Sequence, residues 1–114
     1  MDPIQISKLL ADKYSIKILS ATYKKAKSAN YLSMKLDIPI AACYRRIRNL
    51  EKIGLLKEED KVLTKFGKWV KIYRSSLKYA NVVLDNGKMK VYLQLADSEN
   101  PEEMESWEVL ENEG

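Results

Sequence analysis

The chain has 114 residues, 46% of them hydrophobic and 32% charged, with a formal net charge of +4. This suits one soluble globular domain with a genuine core, and no run approaches the ~18 apolar residues of a membrane helix. With one cysteine (Cys43) and no histidine, an internal disulfide and histidine acid/base catalysis are excluded, and an ordinary zinc site nearly so.

The four glycines lie at positions 54, 67, 87 and 114, too scattered to cradle a phosphate. An enzyme is not expected, nor a metal or cofactor. The opening MDPIQISKLL has an early acid and no long apolar run, so no secretory signal is expected and the cytoplasm is the default location. The charge is split. Residues 97–114 hold eight acidic and no basic residues, which leaves a net +12 on residues 1–96. A basic body with an acidic tail suggests a nucleic-acid partner, although a solubilising charge excess reads the same way.

Pro3 to about Ala11 is predicted as a helix, capped by Asp2, with Pro3 at its first position and an apolar stripe of Ile6, Leu9 and Leu10. A second helix is predicted from Asp12 or Ser15 to Lys25, with Ile16, Leu19 and Tyr23 as its stripe and Ile18 and Thr22 beside them. Ser28 is placed to cap a short third helix that turns Ala29, Leu32 and Leu36 inward. Asp37-Ile38-Pro39 ends it, because proline disfavours helical geometry at the residue before it. A fourth helix spans about Ile40 to Ile53 and stops at Gly54.

Beyond Leu55 the pattern turns to strands. Val62–Phe66 and Trp69–Arg74 flank a tight turn expected at Gly67-Lys68. Tyr79–Leu84 and Met89–Leu95 flank Asp85-Asn86-Gly87-Lys88, and Asn-Gly is a strong hairpin signal. A two-residue loop there pairs Leu84 with Met89, Val82 with Val91 and Ala80 with Leu93, all apolar and on one face. The other face pairs Val83 with Lys90, Asn81 with Tyr92 and Tyr79 with Gln94. The expected fold is therefore α+β, mainly α: a helix-turn-helix with a wing over 62–74 and an extra hairpin over 78–95, all within one domain spanning 1–96. The acidic tail, 97–114, is expected to be flexible, or to form a short docked helix on Met104, Trp107 and Leu110.

The fourth helix carries the functional signal. On a wheel of 100° per residue, Cys43, Ile47 and Leu50 form a buried stripe. Ala41, Arg45, Arg48 and Lys52 lie opposite, Tyr44 on one flank, Ala42 and Asn49 on the other, and Arg46 nearer the buried edge. The chain has sixteen lysines and four arginines, and three of those arginines are here. Arginine's planar donor fork matches guanine edges and phosphates. Small Ala41 and Ala42 allow close approach to a major groove. The candidate DNA-binding set is Ile40, Ala41, Ala42, Tyr44, Arg45, Arg46 and Arg48, with wing residues Lys65, Lys68 and Lys71 placed to reach flanking phosphates. Phe66 and Trp69 are read as hairpin packing before ligand contacts, and Cys43 as core.

Residues 28–56, SANYLSMKLDIPIAACYRRIRNLEKIGLL, resemble the helix-turn-helix of winged-helix regulators of the arsenic-repressor class, above all archaeal ones. The likeness rests on Ser28-Ala29, Leu32, Lys35-Leu36, Ile38, Arg45, Ile47, Leu50-Glu51 and Gly54-Leu55, and extends over residues 12–75 and more loosely over 76–95. It implies a homodimer on double-stranded DNA, with 40–53 as recognition helix and 62–74 as wing. The sequence departs from the family at four points. Asp37 stands where glycine is usual, and aspartate tolerates positive φ. Tyr31 replaces a capping-box glutamate. The cysteine clusters and histidines of metal-sensing members are missing, so metal sensing does not carry over. The second hairpin and acidic tail are additions that would dimerise, bind a partner or shield the basic face. The alternative reading is a winged-helix protein-interaction module in a transcription-related assembly, because fold alone does not fix function.

Overall fold

Among the described residues, four short helices and two three-stranded sheets make up the fold. The computed structural model describes residues 3–96 with their side chains and the backbone of residues 102–106. The elements run α1 (Pro3–Ala11), α2 (Lys13–Thr22), β1 (Lys27–Ser28), α3 (Ala29–Leu36), α4 (Ile40–Lys52), β2 (Leu56–Leu63), β3 (Trp69–Ser75), β4 (Leu77–Asp85), β5 (Lys88–Leu95) and β6 (Glu102–Ser106). One sheet has the order β1-β3-β2 and the other β4-β5-β6, and all their pairings are antiparallel. This is the expected α+β winged helix-turn-helix with added C-terminal β structure. The Asp2 cap expected for α1 lies outside the described residues.

Local chemistry accounts for the helix ends. Asp12 is the N-cap of α2: its carboxylate accepts from the Ser15 amide at 3.0 Å and the Ser15 hydroxyl at 2.7 Å. The Ser28 hydroxyl caps α3 by accepting from the Tyr31 amide. Asp37 closes α3 in the left-handed region, at φ 55° and ψ 51°, as its place in the turn required. Gly54, at φ +83°, releases the chain from α4 into β2.

The second helix is shorter than expected. It ends at Thr22 rather than Lys25, because the Arg74 guanidinium takes the carbonyls of Tyr23 and Lys24 and β1 begins at Lys27. Its buried stripe is also shifted. Ser15, Ile18, Leu19 and Thr22 are buried, whereas Ile16 and Tyr23 are exposed. Thr22 is tolerated inside because its hydroxyl donates to the Ile18 carbonyl at 2.8 Å.

Ile18, Leu19, Ala29, Leu32, Ile38, Cys43, Ile47, Leu50, Leu55 and Tyr73 make one apolar core with Ala42 and Leu56. Leu32, Ile47 and Leu50 are almost wholly enclosed, so truncating any one to alanine should cost about 2–5 kcal/mol. A second cluster joins Ile6 of α1 to Val91 and Leu93 of β5. Leu9 packs on the first cluster and Leu10 on the second, and Ile53 and Leu77 touch both. The short α1 thus fastens the C-terminal sheet to the helix-turn-helix.

The wing differs from expectation in register. The turn is not a two-residue Gly67-Lys68 loop. The Gly67 amide donates to the Thr64 carbonyl and the Thr64 amide to the Lys68 carbonyl, which puts Lys65 and Phe66 at the tip and Gly67 at φ +78°. Leu63 therefore faces Trp69 across the strands. β2 also starts earlier, at Leu56, through the charged run Lys57–Lys61. An edge strand with almost every side chain in water lacks the alternation that marks a half-buried strand, so its pattern was silent.

The second hairpin has the predicted register throughout, from Tyr79↔Gln94 to Asp85↔Lys88, with Asn86 and Gly87 both at positive φ. The sheet gains a third strand from the acidic segment. Within the tail expected to be flexible or helical, residues 102–106 form a strand paired with β5, Val91 opposite Met104. The remaining tail, with Trp107 and Leu110, lies outside the described residues.

Candidate nucleic-acid interface

The core fixes which face of α4 is outward. Cys43, Ile47 and Leu50 are buried against α2, α3 and β2, as their stripe predicted, and the Cys43 thiol donates to the Ala29 carbonyl. Burial pushes that thiol's pKa up, which suits an inert core residue. The opposite face presents Ala41, Arg45 and Arg48 to solvent, with Ile40 and Tyr44 exposed beside them.

The four arginines divide into two pairs. Arg74 is spent inside the fold, on Glu59 at 3.1 Å and on the carbonyls that end α2. Arg46 is held by Asp12, with Nε to Oδ2 at 2.8 Å and Nη2 to Oδ1 at 3.3 Å, and its guanidinium lies 5.6 Å from the Tyr14 ring centre. The bond to Arg46 first, then those from Ser15, hold the Asp12 pKa down at about 2. Arg45 and Arg48, in contrast, bond to no described residue, and both lie exposed on the same helix face.

Two members of the expected set thus stand apart from the outward face. Ala42 is buried in the core, and Arg46 is tied to the cap of α2. Both sit on the flank of the wheel where small rotations decide burial, and a partner 34 residues away in sequence leaves no local signal. Of the wing lysines, Lys65 and Lys68 are exposed at the tip, and Lys71 pairs with Glu58 at 3.4 Å. Lys65 also lies 5.3 Å from the Phe66 ring centre.

Sequence reasoning missed the link between the wing and α4. Tyr44 of α4 and Trp69 and Lys71 of β3 line a cleft of about 190 Å³ with Ser28–Asn30 at the start of α3. Trp69, Lys71 and Tyr73 alternate onto one side of β3, and Tyr73 points into the core, so the first two stand beside Tyr44 of α4 from the same side. Nothing in the spacing of 44 and 69 announces this; only the register of the wing sets it.

Residues 10–59 match the family model of a helix-turn-helix domain. The match runs from the end of α1 through α2, α3 and α4 into β2, and so covers the outward face of α4. No characterised protein matches the chain in sequence. Among the described residues, no cluster of three or more potential metal ligands occurs, and no helix is long and apolar enough to cross a membrane.

Proposed function

We propose that this protein is a double-stranded DNA-binding transcriptional regulator of the arsenic-repressor-like kind, with α4 in the major groove and the wing on the flanking backbone. The observation that carries the reading is the division of the arginines: two are consumed by the fold, and Arg45 and Arg48 stand exposed and unbonded to described residues on the outward face of a helix-turn-helix. A guanidinium left open there is suited to bidentate recognition of guanine or phosphate. The net +12 of residues 1–96 supplies the long-range attraction.

The regulator works as a homodimer in this reading. β4 is an edge strand that exposes Val82 and Leu84 on one face. Two β4 strands pairing about a two-fold axis at Val82 would set Ala80 of each copy opposite Leu84 of the other and cover that apolar strip. The same strip favours a second reading, a protein-interaction module, should DNA fail to bind.

The test is a titration of labelled duplexes, taken from upstream of the protein's own gene and from random sequence, over a salt series. Affinity falling steeply with salt, and about 10³-fold or more tighter for one duplex, supports a specific regulator. Absence of binding at low salt overturns it.

A further inference from the structure

The wing exposes apolar side chains that the fold does not use. Phe66 is 80% exposed, Trp69 67% and Leu63 57%. The turn itself asks for none of them. Its hydrogen bonds come from Thr64, and its positive φ is met by Gly67, so the central positions are open to almost any residue. Around them, residues 61–71, KVLTKFGKWVK, hold four lysines and no acidic residue. A partner that takes both an apolar tip and a cationic rim has an anionic edge and an apolar interior. The stacked bases of a duplex, seen between two phosphate strands, have that chemistry.

The geometry assigns the wing tip a wedge role: Phe66 enters the minor groove beside the site read by α4 and opens a base step. Trp69 meanwhile lies against the sugar-phosphate strand that passes over the cleft it shares with Tyr44. This rests on the DNA-binding reading above and adds to it a bend in the DNA and a preference for easily unstacked steps next to the contacted bases. Lys65 and Lys68 hold the flanking phosphates.

The test uses the full chain carrying Trp107→Phe, which leaves Trp69 as the only tryptophan, and a duplex that the wild type binds, end-labelled for energy transfer. Wedge insertion predicts that duplex addition quenches Trp69 and shortens the end-to-end distance. Phe66→Ala should keep the helical circular dichroism and the salt slope, but lose about tenfold in affinity and most of the bend. Phe66→Leu, still an apolar wedge, should restore much of both. Unchanged Trp69 emission on binding, or a Phe66→Ala protein that binds and bends within twofold of wild type, overturns the wedge while leaving the DNA-binding reading intact. A wild type that binds no duplex at all removes both together.

Discussion

The carboxylate of Asp12 both caps α2 and grips Arg46 on α4, 34 residues later, at 2.8 Å. One side chain thereby ties the helix that precedes the helix-turn-helix to the helix proposed to read DNA. The pair is only about a quarter exposed. Arg46 is thus a positioning residue for its neighbours Arg45 and Arg48.

This pair makes stability depend on acid. The Asp12 pKa is about 2 in the fold against 3.8 ordinarily. A lowered carboxylate pKa gives stability that is present above 3.8 and is lost as the pH falls from there towards 2. With solvent screening the effect is about 1 kcal/mol. Asp12→Asn, which keeps a cap, should be less stable than wild type by that amount at pH 7 in urea denaturation. The difference should vanish near pH 2; a gap constant with pH would contradict the ion pair.

Arg45 and Arg48 should behave differently from Arg46. Replacing both by glutamine should leave the unfolding midpoint unchanged, since neither bonds to a described residue. It should cost roughly 1–3 kcal/mol of sequence discrimination per arginine. Filter binding of specific and random duplexes would check this. Retained selectivity in the double variant would remove these residues from the reading surface.

Asp37 tests the turn of the motif. At φ 55° a β-branched residue is strained. Asp37→Val should lose about 1–2 kcal/mol, and Asp37→Gly should be at least as stable as wild type. Thermal melts of the two variants would decide it, and equal stability of valine and glycine would contradict the observed conformation.

The edge strand tests the oligomer. Val82→Lys with Leu84→Lys places two charges on an exposed strip without touching the core. A dimer built on β4 should become monomeric in light scattering while its circular dichroism is kept. Affinity for a two-half-site duplex should then fall well below that of the wild type. A dimer that survives uses another surface.

Most of the helix-turn-helix was readable because its signals are local. Ser28, Asp37, Pro39 and Gly54 mark ends through their own backbone preferences, and Cys43, Ile47 and Leu50 repeat at helical spacing. The 79–94 hairpin was readable because a turn and an alternation had to agree. What escaped depends on distant partners. The end of α2 is set by Arg74, the place of Arg46 by Asp12, and β6 by an unfilled edge of β5. The wing turn was misplaced by reading Gly67 as a loop residue where it serves as the bulge after a turn at Lys65-Phe66. For the candidate site, the outward arginines were legible and the Tyr44–Trp69 cleft was not, since it needs the wing's register.

β3 and β4 are separated by a single residue, Ser76, and it is clamped from both sides: its amide donates to the Leu55 carbonyl at 2.9 Å and its carbonyl accepts from the Ala96 amide at 2.7 Å. The wing and the C-terminal sheet therefore share one stiff joint. In a dimer joined through β4, the distance between the two wings becomes a built-in gauge, measured in strand residues and independent of any effector. Adding one residue at Ser76 would break that clamp and reset the gauge, while the Asn86-Gly87 turn would hold the β4–β5 register as it is. Such a protein would still fold its helices, yet would span its operator with the wrong stride.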